Sequence, residues 1–165
     1  MIHTNHFVEK YTEWFLFFCE SNILATLVCY IVTMIVNETN GVNNLAILIY
    51  DEDKCLRRAT SNIIMQLYKK DNDYVDIYSF DNPENAMKCV SDGSVEIAFI
   101  SMDDKFGRGF YLAKKLKKYD SEINLITMAQ ELKYEPELIK LRINGYIVGD
   151  RTEEKILNEI NNIYD

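Results

Sequence analysis

Leu45 to Tyr50 (LAILIY) is a near-continuous apolar run, the pattern of a strand buried on both faces, and similar short β-branched runs recur along the rest of the chain. Between them lie longer stretches with helical spacing. Asp53 to Lys70 carries Leu56, Ala59, Ile63 and Leu67 on one side. Tyr74 to Phe80 is predicted as a second strand, and Pro83 to Val90 as a short helix with Asn82 as its N-cap and Pro83 in its first turn. Val95 to Ile100 gives a third strand, followed by a helix over Arg108 to Lys118 with Leu112, Ala113 and Leu116 inward. Ile123 to Thr127 is the fourth strand, Pro136 to Ile143 a helix begun by its proline, and Tyr146 to Val148 a short fifth strand. Thr152 to Ile163 closes the pattern with Ile156, Ile160 and Ile163 on one face. Such alternation implies an open parallel sheet covered by helices on both sides, with ligands at the carboxyl ends of the strands.

The 165 residues allow one ordinary domain and an appendage, which excludes a multidomain enzyme. Lys plus Arg number 18 against 26 Asp plus Glu, a net charge of -8, which speaks against a phosphate-backbone-binding surface. The only basic cluster, Lys114, Lys115, Lys117 and Lys118, reads as the solvated face of a short helix. Apolar residues make up 48% of the chain, with 6 Gly and 2 Pro, so a packed core is expected and disorder is not. Cys19, Cys29, Cys55 and Cys89 have no C-x-x-C spacing and are read as small apolar residues in a reducing compartment. His3 and His6 lack the neighbours that a metal site would need.

Residues 1 to 44 differ in character. Trp14 to Val36 is almost wholly apolar, broken by Glu20, Ser21 and Asn22, and as a helix would reach about 34 Å. A secretory signal fits poorly, because Glu9, Lys10 and Glu13 precede the run in place of a positive cluster. Three readings stay open: a helix in or on a membrane, a helix buried in a dimer or against the domain, and an extension from an upstream start codon ahead of Met34. Asn37 to Asn44 is a polar linker, so the domain is placed at residues 45 to 165.

The first strand runs into Asp51, Glu52 and Asp53, where a nucleotide-binding fold would place a glycine-rich loop. No Gly occurs between Leu45 and Asp92, which argues against a flavin, nicotinamide or P-loop site. Adjacent carboxylates such as Asp51 and Glu52 suit Mg²⁺, a hard cation taking oxygen ligands, although no third ligand is evident. A solvated acidic turn capping the next helix is the other reading.

Residues 45 to 165 resemble the receiver domain of a two-component response regulator. The run Val95 to Asp103 is similar to the family's third strand and following loop, and Gly109 stands eight residues past Ser101, as the family's loop glycine does past its phosphoacceptor. Thr127 stands where the family has Ser or Thr, and Tyr146 matches the fifth-strand aromatic. Gly145 to Lys155 (GYIVGDRTEEK) is similar to the family's D-Y-L-x-K-P-x-x-x-E-x. The resemblance implies a flavodoxin-like, doubly wound α/β fold with five parallel strands in the order 2-1-3-4-5, preceded here by the extra apolar helix.

The departures are chemical. In this register Ser101 replaces the acceptor aspartate, Gly149 the lysine, Asp150 the proline after it and Lys105 the loop proline. Phosphoryl transfer onto a receiver needs an ionised carboxylate nucleophile, a divalent cation and a lysine to hold the product charge. A serine hydroxyl without a base does not supply the first. The resemblance therefore implies a bacterial pseudo-receiver without enzymatic activity or cofactor, cytoplasmic or membrane-associated through residues 14 to 36. Its partner would be a protein (a kinase, a regulator or a second copy), not nucleic acid, with Tyr146 on a contact face spanning Pro136 to Ile163. The alternative is a phosphorylatable receiver with Asp103 as acceptor and Mg²⁺ as cofactor.

Overall fold

The computed structural model describes residues 45–70, 74–93 and 95–164. The expectations for residues 1–44, including the apolar stretch 14–36, His3, His6, Cys19 and Cys29, lie outside the described residues. Among the described residues no helix is long and apolar enough to cross a membrane.

Among the described residues five strands and five helices alternate: β1 (Leu45–Tyr50), α1 (Lys54–Lys70), β2 (Val75–Phe80), α2 (Pro83–Asp92), β3 (Ile97–Ser101), α3 (Arg108–Tyr119), β4 (Asn124–Ala129), α4 (Glu135–Lys140), β5 (Gly145–Val148) and α5 (Glu153–Tyr164). All strand pairings are parallel and the order is β2-β1-β3-β4-β5, as expected. The central strands are the continuous apolar ones because both of their faces are covered. Leu48, Tyr50, Ala98, Ile100, Leu125 and Ala129 pack against α2, α3 and α4. Ile47, Ile49, Ile97, Phe99, Ile126 and Met128 pack against Ile64 and Leu67 of α1 and Ile156 and Ile160 of α5. The edge strand β2 alternates partly buried and exposed residues from Val75 to Tyr78, then breaks the alternation with Ser79 exposed and Phe80 partly buried.

Local signals account for several boundaries. Asn82 caps α2, its side chain accepting hydrogen bonds from the amides of Glu84 (2.9 Å) and Asn85 (3.1 Å), with Pro83 next in line. Other boundaries differ from expectation by one to three residues: α2 runs two residues past Val90 and β3 begins two after Val95, and two further differences have a visible cause. β4 runs two residues beyond Thr127, because Met128 and Ala129 continue the apolar run and pair with Ser101 of β3 and Val148 of β5. α4 stops at Lys140 instead of Ile143, since Arg142 turns into the left-handed region (φ 52°) and Asn144 leaves to bond the Leu125 amide at 3.0 Å.

Candidate functional site: an arginine-filled pocket at the strand ends

The carboxyl ends of β1 and β3 bring Asp51 and Ser101 to the same level of the sheet, since Tyr50 pairs with Ile100 directly before them. Both side chains are almost fully buried. The space between them is filled by Arg151. Its guanidinium lies 2.5 Å from Asp51 Oδ2, an atom that no hydrogen bond of good geometry reaches, so the contact is an ion pair. The same guanidinium donates to Ser101 Oγ at 3.2 Å and to the hydroxyl of Thr60, in α1, at 3.4 Å. The side chains of Arg151 and Asp51 are 6% and 4% exposed, so water screens the pair little.

The β5–α5 turn delivers Arg151 to that position. Gly149 has φ 74°, a conformation in which a side chain is strained, and its amide bonds Ala129 O at 2.8 Å. The chain thereby reverses within two residues and sends Arg151 back over the strand ends, and Thr152 opens α5 by accepting from the Ile156 amide at 3.1 Å. Lys155, the first lysine after the turn, donates to Val148 O at 2.7 Å and stays at the outer edge.

The neighbouring acids are committed as well. Asp51 Oδ1 accepts from the Asp53 amide at 2.8 Å, and its backbone carbonyl accepts from Arg57 at 2.5 Å. Glu52 pairs with Arg108 at 2.7 Å and accepts from the Tyr50 hydroxyl at 3.2 Å. Burial and the adjacent Glu52 carboxylate push the Tyr50 phenol far above its ordinary value. Asp53 is the N-cap of α1, accepting from the amides of Cys55 (2.7 Å) and Leu56 (3.0 Å), and those two donors hold its carboxyl below the ordinary range. Asp104 gathers the amides of Phe106, Arg108 and Gly109 at the start of α3. Gly109 sits against the Ser101 carbonyl so closely that a Cβ would lie 1.9 Å from the oxygen. That approach explains a glycine eight residues after Ser101.

Of the residues singled out in the sequence, the structure joins Asp51 and Ser101 through Arg151 and leaves the others apart. Asp103 turns away toward the β4–α4 loop, where both its oxygens accept from the Gln130 amide (3.1 and 3.0 Å) and Lys133 Nζ stands at 3.2 Å. Thr127 pairs with Ile100, while Ser101 pairs with Met128. Strand alternation therefore puts the Thr127 and Ser101 side chains on opposite faces, and the Thr127 hydroxyl donates to Gly145 O at 3.4 Å. The Tyr146 hydroxyl donates to Lys133 O (3.1 Å) and accepts from the Lys133 amide (2.8 Å), pinning that loop. Tyr134 in the same loop stacks on Phe110 with centroids 4.7 Å apart. The β4–α4 loop is thus tied down at three points.

A hard divalent cation does not fit these residues. Each carboxylate of the Asp51–Glu52 pair already holds an arginine, and the third direction presents a neutral serine hydroxyl. Among the described residues no three His, Cys, Asp or Glu side chains are arranged to hold a metal. Arg151 was not marked by the sequence reading. The one available signal was Gly149, which the resemblance sets where a lysine would stand, beside the acidic pair Asp51 and Glu52, whose charge calls for a cation nearby.

No protein-family model and no curated sequence matches the chain. Solved structures do. The chain is similar to the chemotaxis protein CheY4 of Vibrio cholerae (TM-score 0.63, 11% identity, 73% of this chain and 98% of that one). It is similar to the response regulator TrrA of Thermotoga maritima in complex with Mg²⁺-BeF (TM-score 0.62, 15% identity, 72% and 98%). A DNA-binding response regulator of the LuxR family from Staphylococcus aureus matches at TM-score 0.61 and 17% identity, over 73% and 99%. With five parallel strands in the order 2-1-3-4-5 between two helical layers, the described domain has the flavodoxin-like fold of CheY-like receiver domains.

Proposed function

We propose that the domain is a degenerate receiver that works in signal transduction by protein contact, without phosphoaspartate chemistry. The observation that carries this reading is the Arg151 guanidinium, buried between Asp51 and Ser101 where an active receiver would need a metal ion and a carboxylate nucleophile. A serine held as the acceptor of an arginine hydrogen bond has no base to take its proton. Gly149 offers no charge opposite the acids, and its positive φ disfavours a lysine there. The rival acceptor Asp103 has both oxygens engaged by the Gln130 amide and stands beside Lys133 instead of the acidic pair.

The proposed contact face is formed by α4, β5 and α5, where Ile139, Val148 and Leu157 are exposed (68%, 40% and 39%). The Tyr146 hydroxyl holds the loop leading into that face through the Lys133 backbone. Incubation of the protein with acetyl phosphate and Mg²⁺, followed by intact-mass spectrometry, is expected to leave the mass unchanged. A stoichiometric gain of one phosphate, lost on Asp103→Asn, would establish the alternative acceptor and overturn the reading.

A further inference from the structure

We infer that the outward face of α3 is a second docking surface, whose occupant is an acidic, apolar-bearing segment of another protein. This inference does not rest on the pocket being inactive. Residues 105–119 hold six of the chain's 18 Lys and Arg and no Asp or Glu, although the protein as a whole is acidic. Helix geometry separates most of them, Lys117 being partly buried and donating to the Ser121 carbonyl at 3.0 Å. Gly109, Leu112, Ala113 and Leu116 form the buried stripe, so Arg108, Tyr111, Lys114, Lys115 and Lys118 share the opposite, exposed side.

Aromatic rings are interleaved with these cations. Phe106 is 80% exposed and Tyr111 46%. Arg108 lies over the Phe106 ring at 5.3 Å, Lys114 over Phe110 at 5.4 Å and Lys115 over Tyr111 at 4.8 Å. The five ion pairs among the described residues engage Arg57, Lys70, Arg108, Lys133 and Arg151, and none takes an α3 lysine. A helix face that served solubility alone would mix signs, because like charges three and four residues apart repel. The exposed rings of Phe106 and Tyr111 lie among these cations, a combination that solubility alone does not call for.

Charge complementarity selects the occupant. A second copy related by a two-fold axis would set this basic face against itself, which is repulsive. A nucleic acid would meet long-range repulsion from the net charge of -8 once it extended past the helix. An acidic segment with aromatic or aliphatic side chains meets both features at once: its carboxylates reach the lysine ammonium groups, and its apolar side chains cover Phe106 and Tyr111.

The test is fluorescence anisotropy of the full chain with two labelled probes, a 15-residue peptide of Glu and Asp interleaved with Phe and Leu, and a single-stranded 15-nucleotide DNA. The peptide is expected to bind at least about tenfold tighter than the DNA. The triple variant K114E/K115E/K118E should weaken peptide binding by more than about tenfold, and Phe106→Ala by about threefold, with unchanged thermal melts. Tighter binding of the DNA, no binding of the peptide, or equal peptide binding by the triple variant would each overturn the inference.

Discussion

Replacing Arg151 by alanine is expected to lower the unfolding free energy by about 3–5 kcal/mol. The cause is the carboxylate left behind. Asp51 is 3% exposed, and without the guanidinium its Oδ2 loses its ion pair while the neighbouring cation, Arg57, is held on the Asp51 backbone carbonyl. Urea denaturation of the variant measures the loss directly. The pair is coupled, so removing the charge on the other side as well, in D51N/R151A, should recover a large part of it. A loss below about 1 kcal/mol, typical of an exposed ion pair, would mean that water reaches the pocket and that Arg151 is not its structural cation.

The second expected effect is a gain. Putting a carboxylate at position 101 while clearing the arginine, in S101D/R151A, sets two carboxylates facing each other at the ends of β1 and β3, beside Glu52. Like charges so placed are unfavourable until a divalent cation bridges them. Mg²⁺ is therefore expected to stabilise this variant by about 1.4 kcal/mol at a concentration ten times its dissociation constant, against matched ionic strength. The unaltered protein should show no Mg²⁺-specific stabilisation, because the guanidinium already neutralises Asp51. Equal stabilisation of both proteins would show that Mg²⁺ displaces Arg151, and the pocket would then be a metal site held closed by a weak latch.

Much of the architecture could be read from the chain because its causes are local. The six-residue apolar run of β1 needs cover on both faces wherever it sits, and Asn82 followed by Pro83 starts a helix by its own hydrogen bonding and fixed φ. Gly109 was legible as a spacing, and the close approach of α3 to the Ser101 carbonyl supplies its physical reason. What stayed hidden depends on partners distant in sequence. Arg151 is defined by Asp51 and Ser101, 100 and 50 residues earlier, and nothing in the stretch Gly149 to Thr152 announces a buried cation. Asp53, by contrast, bonds amides only two and three residues on, which is why a turn capping the next helix is already among the readings of the acidic run. The side on which Thr127 falls depends on where β4 ends. An apolar run such as LITMA does not mark that point, and the pairing of Met128 with Ser101 does.

A pocket filled by the protein's own arginine is expected not to respond to a phosphoryl group. Amide NMR of the ¹⁵N-labelled protein, titrated with Mg²⁺ and then with beryllofluoride, tests it most directly. The amides of Asp51, Asp53, Met102 and Thr127 are expected to stay in place through both additions. Shifts at these residues that require both reagents together would show an acceptor carboxylate binding a phosphoryl mimic, and would contradict the account.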